Sequence, residues 1–195
     1  TLLLKDFTDS GNAAARSSPN NALLIDVAQL NQAFETLTAG ERIYTLMNHE
    51  PVHVATMDVW NDDDAFWRNI FGGKPAPIEE HPESIIYNYL ATPRVNAPRW
   101  YLEGRAVFME TWMAGGLGRA QGGFDEMAFR AMVRDDAKFF DPLGLESEGV
   151  FFDFQAGANA YLYGTRFLSY LAMTRGPEKV VEWLKRGPDS DAYYS

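Results

Sequence analysis

The chain contains three histidines, and two of them stand in His49-Glu50-Pro51-Val52-His53, the H-E-x-x-H spacing. Residues four apart on a helix lie one turn apart on the same face, so both imidazoles can meet one Zn2+ while Glu50 sits beside a metal-activated water. Zinc lowers the pKa of such a water toward neutrality, and a neighbouring carboxylate takes its proton and later hands it to a leaving amine. The chemistry implied is metal-assisted hydrolysis with Glu50 as general base. Two surface histidines without any metal would show the same spacing.

A catalytic zinc takes three protein ligands and keeps one position open. The chain has no cysteine, so disulfides and thiolate sites are excluded and the third ligand must be a His or a carboxylate. His81, in Glu79-Glu80-His81-Pro82, is one candidate, although an exposed loop histidine fits that Pro-rich stretch better. Ligating histidines pass their second N–H to a carboxylate or carbonyl. Asp58, five positions after His53, is the nearer candidate in sequence, with Glu110 the weaker. Arg119 could pair with a substrate carboxylate, although a solvated side chain is the plainer expectation. Asp62-Asp63-Asp64 lacks calcium-loop spacing and reads as the acidic first turn of a helix capped by Asn61.

These residues need elements to position them. Thr1–Lys5 and Ala22–Val27 read as two strands that could pair, between turn clusters at Asp9–Asn12 and Ser17–Asn21. From Gly40-Glu41-Arg42, apolar positions at helical spacing run through His53 to about Asp58. Further helices are expected over Ala65–Phe71, Glu83–Leu90, Trp100–Trp112, Asp125–Phe139, Ala158–Met173 and Glu178–Lys185. The third of this series carries Leu102, Ala106, Met109 and Met113 as its apolar stripe, with Gly115-Gly116-Leu117-Gly118 as its stop. Glycine is dense there, but the P-loop pattern is missing. The fold class expected is α+β, with strands first and helices after. The chain is 46% hydrophobic and 23% charged, which excludes intrinsic disorder. Its net charge of −10 argues against nucleic acid and against an anionic membrane surface. No apolar run approaches the roughly 20 residues of a membrane span.

Downstream of H-E-x-x-H, the stretch Pro98-Arg99-Trp100-Tyr101-Leu102-Glu103-Gly104-Arg105-Ala106 places a Trp and an apolar stretch before Glu-Gly-x-Ala. This combination resembles the gluzincin metallopeptidases of the MA-like superfamily, the group of thermolysin and the zinc aminopeptidases. The resemblance implies His49, His53 and Glu103 as zinc ligands, Glu50 as base and a peptide or protein as substrate. The later Tyr161-Leu162-Tyr163-Gly164 and its continuation through Arg175-Gly176-Pro177-Glu178-Lys179 are similar to the C-terminal helix of small bacterial peptidases of that superfamily. The likeness spans roughly residues 22 to 186. Relatives often stabilise the oxyanion with a Tyr or His from this half. No His remains there, so Tyr161 and Tyr163 are the candidates, with Arg166 behind them. Gly104 and Ala106 are expected to let their helix approach the one bearing His49 and His53.

The expected architecture is a single zincin-like domain over 1–195, with a small N-terminal sheet in 1–40 and a mainly helical part in 41–195. Residues 60–99 form an insertion that lengthens the interval from His53 to Glu103 to 50 positions. By the same analogy Val27–Phe34 is a sheet edge that binds extended substrate by strand addition. Pro51 inside the motif either kinks the helix at Met47 or marks a helix that begins with Asn48 as its N-cap. The aminopeptidase string Gly-x-Met-x-Asn does not occur, which favours an endopeptidase. A zincin-fold scaffold without turnover and a non-peptidase zinc hydrolase are the alternatives. The absence of an initial Met suggests a piece of a longer product.

Overall fold

In the computed structural model, the described residues are 1–5, 13–27, 42–91, 97–115, 118–141, 144–145 and 159–185. They form a small three-stranded sheet and a mostly helical remainder. The strands are β1 (Leu2–Lys5), β2 (Ala13–Arg16) and β3 (Ala22–Asp26). The helices are α1 (Arg42–Met57), α2 (Asp62–Ile70), α3 (Glu83–Ala91), α4 (Arg99–Met113), α5 (Gly123–Arg134), α6 (Asn159–Arg175) and α7 (Pro177–Leu184). A 3₁₀ turn spans Arg119–Gln121. None of these helices is long and apolar enough to cross a membrane.

The chain divides into two compact units. One comprises Thr1–Leu30, Glu50–Ala97 and Val181–Ser195; the other comprises Asn31–His49 and Pro98–Val180. In the first unit the strand order is β1-β3-β2, with β1 parallel and β2 antiparallel to β3. The two expected strands pair, Leu3 opposite Leu24. The third, Ala13–Arg16, lacks the β-branched residues that mark a strand in sequence. Ala22 and Ile25 are the buried residues of β3; three positions apart, they lie on opposite faces of the strand. The expected sheet edge at Val27–Phe34 lies outside the described residues apart from Val27.

Asn61 caps α2 as anticipated, its side chain accepting from the Asp64 N–H while the Asp64 carboxylate accepts from the Asn61 N–H. At the other end Gly72 takes φ 67°, and the Gly73 N–H reaches the Arg68 carbonyl at 2.7 Å, a Schellman closure. Beneath α2, Tyr87 of α3 is fully buried against Phe71. Asp58, just past α1, ties four segments of this unit together. Its Oδ1 accepts from Arg68 at 2.9 Å and from Lys74 at 2.8 Å, and its Oδ2 accepts from Asn21 at 2.8 Å. This is a correction: Asp58 is spent on a structural ion cluster and not on a histidine.

In the second unit α4 packs on α6 through two glycines. A Cβ at Gly104 would stand 2.6 Å from the Gly164 Cα, and one at Gly164 would strike the Trp100 carbonyl and stand 2.9 Å from the Gly104 Cα. Gly104 therefore admits α6, which corrects the expectation that it admits α1. The apolar stripe read from sequence is also displaced, because Met113 is exposed whereas Tyr101, Gly104, Arg105, Val107, Glu110 and Thr111 are buried alongside Ala106. Helix α5 stops at Arg134, five residues short of the expected Phe139. Asp136 adopts φ 51°, and the Ala137 N–H closes on the Met132 carbonyl at 2.9 Å. Aspartate is among the few residues that tolerate this left-handed position.

Helix α1 gives its residues up to His49 to the second unit and those from Glu50 to the first. It begins at Arg42, so Asn48 is not an N-cap; it lies within the helix, donating its side-chain amide to the Tyr44 carbonyl at 2.8 Å. Pro51 is inside the helix, where it denies the Met47 carbonyl its i+4 donor.

Candidate metal centre

Within the second unit, His49 of α1 faces Glu103 and Glu110 of α4. The His49 ring is buried, with Nδ1 2.7 Å from Glu110 Oε2 and Nε2 3.2 Å from Glu103 Oε2. Burial alone would lower the pKa of this imidazole, but the hydrogen bonds and charges of Glu103 and Glu110 outweigh that and raise it to about 9. Two carboxylates thus share one buried histidine, and the arrangement calls for positive charge. Glu103 and Glu110 are seven residues apart on α4, two turns along one face, which lets one helix meet both ring nitrogens.

His53 follows one turn after His49 on α1 and is also buried. One ligand atom from each of His49, His53 and Glu103 can be chosen so that all three lie within 4.8 Å of one another. Zinc with bonds of about 2.1 Å in tetrahedral geometry spaces its ligands by roughly 3.4 Å. The Nε2–Oε2 separation of 3.2 Å between His49 and Glu103 is already on that scale. Two imidazoles and one carboxylate form the N/N/O set that zinc accepts, so these residues could hold a metal ion.

Glu110 is itself fixed. Its Oε1 accepts the Arg119 backbone N–H at 3.3 Å, and the side chain is almost fully buried. The glycine-rich stop of α4 makes this possible. Gly115 ends the helix at φ 70°, and Gly118 lies so close to Thr111 that a Cβ would stand 2.6 Å from the Thr111 backbone nitrogen. The chain then turns back over α4, and the Ala120 N–H meets the Thr111 hydroxyl at 3.0 Å. Sequence spacing underrated Glu110 because a seven-residue interval names the helix face but not the partner.

Comparison with protein-family models, with curated proteins and with solved structures finds no match. What the site can do therefore rests on its own geometry.

Tyr161 of α6 lies beside the centre, its ring centroid 6.4 Å from that of His49. Burial, and then the Glu103 charge, raise its phenol above the ordinary value, partly offset by Arg99 and Arg119. The guanidinium of Arg119 sits 4.6 Å from the Tyr161 ring centroid and that of Arg99 5.5 Å from it. Arg119 is half-buried, with its Nε out of solvent. Tyr163 is two residues further on and so points to the other side of α6. Its hydroxyl accepts the Phe140 N–H at 3.2 Å, and its ring lies among Phe129, Phe139 and Phe140. Tyr163 thus lines an aromatic cluster, and Arg166 pairs with Glu126 of α5. His81 is exposed and bonded to Glu83 at 3.1 Å, as its loop setting suggested. Glu50, adjacent to His49, is buried.

Proposed function

We propose that this chain is a zinc-dependent metallopeptidase of the gluzincin type. His49, His53 and Glu103 would hold the ion, and Glu110 would orient His49. The observation that carries the proposal is the convergence of those three donors within 4.8 Å, with Glu110 on the second nitrogen of His49, from a motif whose middle carboxylate is Glu50. Zinc bound there supplies the Lewis acidity that peptide hydrolysis draws on. Glu50 takes the proton from the attacking water and returns it to the leaving amine. Tyr161, whose ring lies 6.4 Å from that of His49, would supply the hydroxyl that stabilises the oxyanion, and Tyr163 serves the aromatic cluster.

The test separates metal binding from turnover. Zinc-loaded wild type should cleave fluorescein-labelled casein, and Glu50→Gln should keep its zinc while losing activity by roughly 10²–10⁴-fold, the share of a positioned general base. Equal cleavage by Glu50→Gln would remove Glu50 from the mechanism. No cleavage by the fully loaded wild type of casein or of a mixed peptide library would contradict the peptidase assignment.

A further inference from the structure

Five arginines in the described residues pair with a carboxylate: Arg68 with Asp58, Arg99 with Glu103, Arg130 and Arg166 with Glu126, and Arg134 with Asp135. Arg119 differs. Among the described residues no oxygen accepts a hydrogen bond from its guanidinium, and its Nε is buried without a partner. Asp125 lies close enough to be influenced by its charge, yet both Asp125 oxygens are buried and unbonded. Burial holds that carboxyl above the ordinary aspartate range despite Arg119 and Arg166. The guanidinium is therefore a cation with unspent donors.

Its position is fixed from two sides. The Arg119 backbone N–H is held by Glu110, the carboxylate that also holds His49. The guanidinium packs 4.6 Å from the ring centroid of Tyr161, which is 6.4 Å from the His49 ring. These two steps place Arg119 within about three residues of the centre for an extended peptide, which advances roughly 3.5 Å per residue. A guanidinium fork matches a carboxylate in a bidentate geometry that no ammonium reproduces. The chain as a whole carries −10, so its overall field repels acids and a dedicated cation is needed to receive one.

We infer that Arg119 receives a substrate carboxylate, so that the preferred peptides present an anion within three residues of the reacting carbonyl. This deepens the peptidase proposal and rests on it. The carboxylate comes either from the chain end or from an acidic side chain, and the experiment distinguishes the two.

The chain has no cysteine, so thiol compounds meet only the metal. Mercaptoacetyl peptides of one, two and three alanines are titrated into the zinc-loaded protein, each as the free acid and as the C-terminal amide. A parallel amide series carries aspartate as its last residue. In at least one length the free acid or the aspartyl amide should bind about tenfold or more tightly than the alanyl amide, as charge-assisted bonds allow. Arg119→Gln should bring the preferred compound down to the affinity of the alanyl amide, and Arg119→Lys should retain part of the preference. A free-acid preference identifies the chain end, and an aspartyl preference a side chain. Equal affinities throughout in wild type, or a preference that survives Arg119→Gln, would overturn the role of Arg119 and leave the metal centre standing. Failure of every compound to bind the zinc-loaded protein would overturn both.

Discussion

At the scale of single residues, the interaction that most distinguishes this centre from two chance histidines is the contact of Glu110 with His49 at 2.7 Å. A carboxylate on the far nitrogen fixes tautomer and ring orientation, and losing such a partner typically costs 10–100-fold in metal affinity. Glu110→Gln should therefore weaken zinc binding by about that factor in a competition titration, with stoichiometry recovered at excess zinc. Unchanged affinity would show that the contact does not support the metal. The residues were legible to different degrees. His49, Glu50 and His53 announce themselves by spacing, and Glu103 was reached through the string that follows it. Glu110 was ranked below Asp58 because proximity in sequence was taken as proximity in space. Asp58 faces Lys74, Arg68 and Asn21 instead, and nothing in a local pattern could reveal partners up to 37 residues away.

The elements were more readable than their contacts. Helix α1 runs from Arg42 to Met57, close to the span its apolar periodicity predicts, and the Asn61 capping box starts α2 where expected. The end of α5 was missed because periodicity continues past Asp136, while the left-handed turn there depends on a backbone choice that aspartate permits but does not dictate. The pairing of α4 with α6 was missed because Gly104 was assigned to the wrong neighbour. Its energetics are testable. A methyl at Gly164 meets backbone, the Trp100 carbonyl and Gly104 Cα, which no rotamer change relieves. Gly164→Ala should destabilise the protein at the upper end of the about 1–3 kcal/mol seen for overpacking, read by urea denaturation. It should also weaken zinc binding, since α4 carries Glu103 and Glu110. A variant as stable as wild type would mean that the two helices separate without penalty.

At the scale of the whole molecule, stability and function draw on different charges. In the first unit Asp58 is half-buried, and partial burial alone would raise its carboxyl, but hydrogen bonds from Lys74 and Asn21 and the charges of Lys74 and Arg68 hold it below its ordinary 3.8. A carboxyl depressed in the folded state stabilises it fully above the unfolded value, and that contribution is lost as pH falls through the lower folded value. Wild type should accordingly lose stability as pH drops below about 3.8, and Asp58→Asn should be less stable at neutral pH with a flatter acid limb. Matching acid limbs would remove Asp58 from the ledger. The α+β composition was legible from the order of strand-like and helix-like stretches, whereas the division into two units was not, because it falls inside the continuous helix α1.

The central claim is that His49, His53 and Glu103 together hold one zinc ion, and it is tested most directly by the metal content of the dialysed protein after zinc loading, by elemental analysis. Wild type should carry about one zinc per chain, and His53→Ala and Glu103→Ala should each lose most of it while remaining folded by circular dichroism. A wild type that holds no zinc, or a Glu103→Ala variant that binds it undiminished, would contradict the account, the first for the whole centre and the second for its third ligand.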